Sequence, residues 1–159
     1  MRAAQKTPKK RPSPDAMQAW LSVARAYHLC DAVLSQRLTA LGLKLAEHEL
    51  LVNLLRRPGL TQQELAARCF VAKSGISMLV TRMVEAGRVR READPVDARV
   101  WRLLLTPEGA ALAEQAQQVQ AEVIHAMTAQ STPAEQQLLA AAMDNASAAL
   151  QQMLVPRRR

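Results

Sequence analysis

The chain has 159 residues, a net charge of +7 and only 3% aromatic residues, and this length suits a single domain with a core of its own. The scarcity of aromatic side chains, together with frequent Ala, Leu and Gln, favours helices over a large sheet. No stretch is long and apolar enough to cross a bilayer, and no signal-peptide apolar run follows the charged start, so we expect no membrane partner and a cytoplasmic location.

The first predicted elements are a basic arm and a long helix. Residues 1–14 carry five Lys and Arg residues, three prolines and no acid, a composition typical of a disordered segment. From Asp15 to about Thr39 the apolar residues recur at helical spacing and form one stripe: Trp20, Leu21, Val23, Ala24, Tyr27, Val33, Leu34, Leu38 and Leu41. Asp31 lies within this stripe, where a carboxylate needs a partner. His28, three residues earlier, is placed to supply one, either in a structural hydrogen bond or in the wall of a pocket.

A second helix is predicted from Ala46 to Arg56, after Gly42 interrupts the first pattern. Its inward residues are Leu50, Val52, Leu54 and Leu55. Pro58 and Gly59 end it, since neither residue favours a helix interior. His48, in the first turn, is interpreted as a surface or capping residue, with a ligand-binding role as the alternative.

Two short helices joined by a tight turn come next. Thr61 is expected to cap the first of them, with Glu64 reaching back to complete the capping box. The turn is expected at Cys69–Ala72, and a second helix then begins near Lys73 or Ser74 and continues to about Ala86. Its apolar positions are spaced so that one side is core and the other side is free: Ile76, Leu79, Val80, Met83 and Val84. Gly87 ends the helix, and the pair forms a helix-turn-helix.

A basic hairpin is predicted directly after this motif. Val89–Glu92 and Arg99–Leu105 are expected to form two strands around a turn at 93–98. Thr106 then caps another helix, with Pro107 at its favoured first position. A basic hairpin attached to a helix-turn-helix is a wing, which is placed to touch DNA beside the groove that the helix enters.

The last two predicted helices are rich in Ala, Leu and Met. One extends from Ala111 to Ala129, and the other begins after Thr132, with Pro133 at its first position and Glu135 at its third. Since the last helix carries more apolar surface than a solitary terminal helix needs, both chain ends are interpreted as a dimer interface. An intramolecular helical bundle is the alternative.

The charge of the chain is unevenly distributed between these elements. Residues 60–105 hold eight Lys and Arg residues against five acidic ones, whereas residues 107–156 hold five acidic residues and no Lys or Arg. This asymmetry indicates that one face of the protein meets phosphate. An arginine-rich surface that served solubility alone would not explain it.

Five short motifs stand out in this central region: Ser74-Gly75, Arg82, Gly87-Arg88-Val89, Asp97-Ala98-Arg99 and the run from Leu103 to Gly109. In these motifs the chain resembles the MarR (multiple antibiotic resistance regulator) family of winged-helix transcription factors, and the similarity extends with less detail over roughly residues 15–155. The resemblance implies a fold that is mainly α with a small β wing. Together with the composition of the two chain ends, it gives the following regions: a disordered basic arm (1–14), a dimerisation helix (15–42), the winged helix-turn-helix (43–106), dimerisation helices (107–155) and a basic tail (156–159).

The resemblance further implies a ligand-responsive transcriptional repressor. Such a protein binds a pseudo-palindromic double-stranded operator as a homodimer, with the second helix of the motif in the major groove and the wing tip in the minor groove. Asp97 would hold the side chain of Arg99 in place, and Arg90 and Arg91 would contact phosphates. The candidate DNA-binding residues are Lys73, Ser74, Gly75, Ser77, Met78, Thr81, Arg82, Arg90, Arg91, Asp97 and Arg99.

Members of this family respond to small aromatic or anionic effectors, such as aromatic carboxylates or phenols, that bind between the dimerisation helices and the winged region. Aromatic side chains would stack on the ring and a histidine would meet a carboxylate. The candidate effector-binding residues are Trp20, Tyr27, His28, Asp31, His48 and Trp101.

Three other interpretations remain open from the sequence. Cys30 on the first helix is a candidate oxidation sensor, although a reactive thiol needs exposure and a nearby cation. Zinc sensing would draw on His28, Cys30, His48 or Glu49, but their spacing matches no known metal site. A non-specific architectural DNA-binding protein is the competing class. Since no nucleophile, phosphate loop or carboxylate pair stands in a catalytic pattern, we expect no enzyme, no cofactor and no bound metal.

Overall fold

The computed structural model describes residues 11–69 and 73–154, without the side chains of Lys73 and Ser74. Most of the predicted basic arm, the turn at residues 70–72 and the basic tail at 156–159 lie outside the described residues. The described elements follow one another in this order: α1 (Pro14–Thr39), α2 (Leu45–Arg56), β1 (Leu60–Thr61), α3 (Gln62–Ala66), α4 (Lys73–Glu85), β2 (Val89–Ala93), β3 (Trp101–Leu105), α5 (Pro107–Thr128) and α6 (Pro133–Leu154).

The fold class is confirmed, because these elements form a mainly helical chain with one small antiparallel sheet and a winged helix-turn-helix. The start of α3 illustrates how the sequence sets its boundary. The Glu64 amide donates to the Thr61 hydroxyl at 3.2 Å, and the Thr61 amide donates to the Glu64 carboxylate at 2.7 Å. The same reciprocal pattern joins Thr132 and Glu135 before α6. The predicted capping box of α3 is therefore present, and α6 begins with a second one.

The sheet has the strand order β1-β3-β2, and the sequence prediction contained only two of its strands. β1 is a two-residue strand in which Leu60 lies opposite Leu103. It fastens the start of the helix-turn-helix to the wing, because β3 also pairs with β2 along its whole length. β3 begins at Trp101 rather than at Arg99, since the amides of Arg99 and Val100 donate to Asp97 within the wing turn.

The core of the winged region is made from one side of each surrounding element. α4 contacts α2, α3 and β2, and α2 contacts α1 and β3. Removal of such leucine-sized side chains from water stabilises a fold by about 1.5–3 kcal/mol each. Among the described residues, the largest fully buried side chains are Leu38, His48, Leu50, Leu51, Leu54, Leu65, Ile76, Val80, Met83, Val89 and Leu103.

Two glycines set the path of the chain between α4 and α5. Gly87 ends α4 with φ 69°, a left-handed conformation that residues with a Cβ adopt at a cost. At the start of α5, a Cβ on Gly109 would overlap the backbone carbonyl of Arg88. The Gly109 amide also donates to the Thr106 hydroxyl at 3.0 Å, and that hydroxyl donates to the Gly87 carbonyl at 2.7 Å. These contacts hold the first turn of α5 against the residues that follow α4.

The chain divides into two compact units, residues 1–119 and residues 120–159. The first unit contains the winged helix-turn-helix. The second consists of the last part of α5 and the whole of α6, and α6 has no buried residue among those described. None of the helices in the described part of the chain has the length and apolarity to span a membrane.

Candidate nucleic-acid interface

One face of α4 is exposed and largely polar, and it does not pack against the core. Ile76, Leu79, Val80 and Met83 are buried against the neighbouring elements. The residues between them point away from the core because a helix repeats every 3.6 residues. The exposed residues of this face are Ser77, Met78, Thr81 and Arg82, and Gly75 is half-buried at its start. The structure therefore brings these five predicted DNA-binding residues onto one helix.

An ion pair ties this face to α2. Arg82 lies 3.0 Å from Glu47, and the other carboxylate oxygen of Glu47 accepts a hydrogen bond of 2.9 Å from the Lys44 amide at the start of α2. The Arg82 side chain is 49% exposed, so its guanidinium remains accessible to a partner from solvent. Glu47 was not among the predicted site residues. It lies three residues after Lys44, the N-cap of α2, and that position gives no sign of the contact with α4.

The wing carries its two neighbouring arginines on opposite faces. Successive side chains of a strand point to opposite sides of the sheet. Arg90 accordingly pairs with Glu92 on one face. Arg91, on the other face, donates to the Thr81 hydroxyl of α4 at 3.3 Å. Arg91 therefore belongs to the side of the wing that meets α4.

The tip of the wing holds one preorganised arginine. Both oxygens of the Asp97 carboxylate accept hydrogen bonds of 3.0 Å from the Arg99 guanidinium, and the Arg99 amide donates to the same carboxylate. These bonds lower the pKa of Asp97. The Arg99 side chain is nevertheless 90% exposed. The expected contact between Asp97 and Arg99 is present, and it leaves the outer edge of the guanidinium open.

Behind the tip, Asp94 and Arg102 brace the wing. Asp94 accepts from the amides of Val96 and Asp97 and from Arg102 at 2.6 Å, and these bonds lower its pKa, with the Val96 amide as the largest cause. Arg102 also donates to the Gly59 carbonyl at 3.1 Å. From the sequence, Arg102 was counted only among the eight Lys and Arg residues of residues 60–105 and was assigned no contact. The Asp-Pro dipeptide at the start of the turn could have indicated the role of Asp94, because an Asp side chain often accepts hydrogen bonds from the backbone amides of its own turn.

The predicted effector-binding residues are distributed over three elements. Trp20 and Tyr27 are both 64% exposed on α1, and Tyr27 meets His28 edge-on with ring centroids 5.6 Å apart. In the described part of the chain His28 makes no hydrogen bond to Asp31, so the expected structural pair is not formed. Trp101 lies instead on β3 in the wing.

His48 is buried in α2, and its interpretation as a surface or capping residue was wrong. It is 2% exposed, and both ring nitrogens lack a hydrogen-bond partner among the described residues. Burial, with a smaller contribution from Arg56, lowers its pKa. The physical reason is position, because His48 precedes the buried Leu51 and Val52 by three and four residues and so shares their face.

The cysteines differ in their surroundings. Cys30 is half-buried on α1 and Cys69 is buried. Burial, aided by Glu49, raises the pKa of the Cys69 thiol to about 11, so this thiol stays protonated. Within residues 11–69 and 73–154, no three His, Cys, Asp or Glu side chains are grouped so as to hold a metal ion.

The chain is similar to known proteins in sequence and in structure. The sequence model of the MarR family matches residues 41–100. HTH-type transcriptional repressor Rv2887 of Mycobacterium tuberculosis is 35% identical over 85 residues, which are 54% of this chain. The chain spans about three-fifths of that relative's length, 61%.

Two solved structures are similar over most of the chain. Sco3205, a MarR family transcriptional regulator from Streptomyces coelicolor in complex with DNA, is 27% identical with a TM-score of 0.79, over 88% of this chain and 94% of its own. Bordetella bronchiseptica BpsR, whose DNA binding is regulated by 6-hydroxynicotinic acid, is 20% identical with a TM-score of 0.73, over 86% of this chain and 98% of its own.

Proposed function

We propose that this chain, whose residues 41–100 match the sequence model of the MarR family, is a sequence-specific transcriptional repressor of that type. It binds a pseudo-palindromic operator in double-stranded DNA as a homodimer and is released by a small aromatic or anionic molecule. The observation that carries this proposal is the exposed polar face of α4 beside a wing whose arginines are accessible.

α4 is the element that would read the operator. A helix is about 10–12 Å across with its side chains, and the major groove of B-DNA is about 12 Å wide. Ser77 and Thr81 can bond base edges or phosphates, Met78 can contact a thymine methyl, and Gly75 permits a close approach. Lys73, Ser74 and Arg82 complete the proposed contact surface of this helix.

The wing would supply the second set of contacts. Arg99 would enter the adjacent minor groove, whose negative potential attracts a guanidinium. Because Asp97 already fixes the side chain, less conformational entropy is lost when Arg99 binds. Arg90 and Arg91 would contact phosphates on either side of the hairpin.

Homodimer formation is supported by apolar side chains that the chain leaves exposed. Trp20, Tyr27 and Leu29 on α1 are each more than 60% exposed, as are Leu138, Met153 and Leu154 on α6. Exposed apolar side chains in such number on each of these helices are typical of association surfaces. Two-fold symmetry of a dimer would then require two half-sites about one helical turn apart, roughly 34–36 Å.

The effector part of the proposal concerns the residues of α1. Trp20, Tyr27, His28 and Asp31 combine aromatic faces with polar groups on one helix, and 6-hydroxynicotinic acid, which regulates BpsR, is an aromatic carboxylate. His48 is proposed as part of this site through a change that exposes its unpartnered ring. An effector that favours a non-binding form weakens DNA binding, and DNA weakens effector binding by the same factor.

Selection of duplexes from a random pool, followed by gel shifts, tests the function. The expected result is one enriched pseudo-palindrome, bound by two chains and released by a hydroxybenzoic or pyridinecarboxylic acid. Uniform binding of every duplex would instead identify an architectural protein. Absence of any shift at low salt would reject DNA binding altogether.

A further inference from the structure

A groove lies between α4 and the wing hairpin, which are in contact where Arg91 donates to the Thr81 hydroxyl. Its volume is about 520 Å³, and it is lined by Gln62, Ser77, Thr81, Arg91, Trp101 and Leu103. Leu103 forms a buried floor, whereas the other five residues are exposed or half-buried. The helix-turn-helix and both long strands of the sheet therefore contribute to the same groove.

Trp101 is the residue of this groove whose position has no structural explanation. It lies opposite Ala93 in the strand pairing, two positions from Leu103, which lies opposite Arg91. Trp101 and Arg91 therefore project from the same face of the sheet. Trp101 is 54% exposed, and its indole N–H donates to no protein atom in the described part of the chain. Core packing accordingly does not account for this side chain.

The chemistry of the groove suits an anionic strand. Arg91 supplies a guanidinium, and Ser77, Thr81, Gln62 and Trp101 supply further hydrogen-bond donors. None of its described lining residues is acidic. The wing carboxylates are engaged elsewhere, with Arg90, Arg102 and Arg99. The indole ring adds a flat apolar surface beside these donors.

The expected docking places a particular part of the DNA at this groove. If α4 lies in the major groove and Arg99 in the adjacent minor groove, the sugar-phosphate strand that separates the two grooves must pass between α4 and the wing. We propose that this strand is seated in the groove, and that Trp101 contacts it through an indole N–H to phosphate hydrogen bond and a ring packed on deoxyribose. The inference rests on the proposed function and assigns Trp101 to the DNA rather than to the effector.

The competing occupant is a small molecule. Pockets for small ligands measure about 300–1,000 Å³, so the volume of the groove alone does not distinguish the two. A strand accounts better for an open groove whose hydrogen-bond donors are spread over four elements, α3, α4, β2 and β3. A small ligand would protect Trp101 in the absence of DNA.

The test compares wild-type protein with Trp101→Phe and Arg91→Gln. The probes are a duplex selected from a random pool by the wild-type protein and a scrambled duplex of equal length. Trp101→Phe should weaken both complexes by a similar factor of about three to ten, the effect of one ordinary hydrogen bond. Its salt dependence should stay unchanged because no charge is lost, whereas Arg91→Gln should reduce the slope by about one.

Fluorescence of the wild-type protein provides a measurement that needs no variant. Saturating duplex should protect one tryptophan from acrylamide, and this protection should be absent in Trp101→Phe, which retains only Trp20. Wild-type affinity in Trp101→Phe, or protection that persists there, would overturn the inference while DNA binding stood. Protection of Trp101 by salicylate but not by duplex would also overturn it. Failure of the wild-type protein to bind any duplex would reject the proposed function itself.

Discussion

Glu47 pairs with Arg82 at 3.0 Å and thereby joins the start of α2 to α4. One carboxylate oxygen accepts from the Lys44 amide and the other accepts from the guanidinium. The cap of one helix and the orientation of a candidate DNA-binding side chain on another therefore depend on the same residue. A phosphate would have to approach an arginine that is already positioned.

Replacement of this carboxylate should lower stability. Glu47→Gln weakens both the cap and the ion pair, and we expect the free energy of unfolding to fall by about 0.5–2 kcal/mol, chiefly from the cap because the exposed pair is screened by water. Urea denaturation measures the change. Glu85→Gln, which removes an exposed carboxylate from α4 itself, is the matched control. Equal stability of Glu47→Gln and wild type would show that the contact has no energetic role.

α5 lies so close to the end of α4 that replacing Gly109 by alanine is predicted to lower the free energy of unfolding. Alanine in place of a helical glycine normally stabilises a helix by about 1 kcal/mol. Gly109→Ala should instead destabilise the protein by about 1–3 kcal/mol, because the new methyl group overlaps the Arg88 carbonyl. Thermal or urea unfolding decides the sign. A stabilised variant would mean that the close contact is absent in solution.

The hydrogen bonds and the ion pair that Asp94 makes within the wing should weaken at low pH. Folding lowers the pKa of Asp94 from 3.8, first through the Val96 amide and next through Arg102. The contribution of Asp94 to stability is therefore complete above pH 3.8 and is lost as the pH falls through the lowered pKa. NMR titration of the Asp94 carboxyl carbon should give a midpoint below 3.8. In Arg102→Gln the midpoint should rise, and an unchanged midpoint there would contradict the assigned contact.

Arg99 should contribute strongly to operator affinity. Arg99→Ala is expected to weaken binding by about 1–3 kcal/mol, the range of a good groove contact. Asp97→Asn should cost less, because the arginine remains but is no longer held by a carboxylate. Gel shifts with a selected duplex measure both losses, and Arg25→Ala removes an equal charge from α1 as a control. If Arg99→Ala and Arg25→Ala weakened binding equally, Arg99 would contribute only its charge and would make no specific contact in the minor groove.

Local signals in the sequence were sufficient to place the helices of the winged region. The capping box of Thr61 and Glu64 and the left-handed Gly87 each involve residues that are close in sequence, so the sequence alone predicts them. The apolar spacing of α4 likewise identified which of its faces would be free. These elements carry most of the candidate interface.

The remaining features depend on contacts between distant parts of the chain. The two residues of β1 are too few to show alternation, and the pairing of Arg102 with Asp94 and Gly59 requires the wing to be folded. His48 is different, because its spacing from Leu51 and Val52 already indicated burial. The helical spacing of His28 and Asp31 permitted a contact that the structure does not form.

The central claim is that the free face of α4 and the arginine wing together bind a duplex as part of a two-fold dimer. Hydroxyl-radical footprinting of a selected duplex tests it most directly. The account predicts two protected segments about one helical turn apart, related by two-fold symmetry and lost together in Arg99→Ala. A single protected segment from a monomeric protein, or uniform protection of the whole duplex, would contradict it.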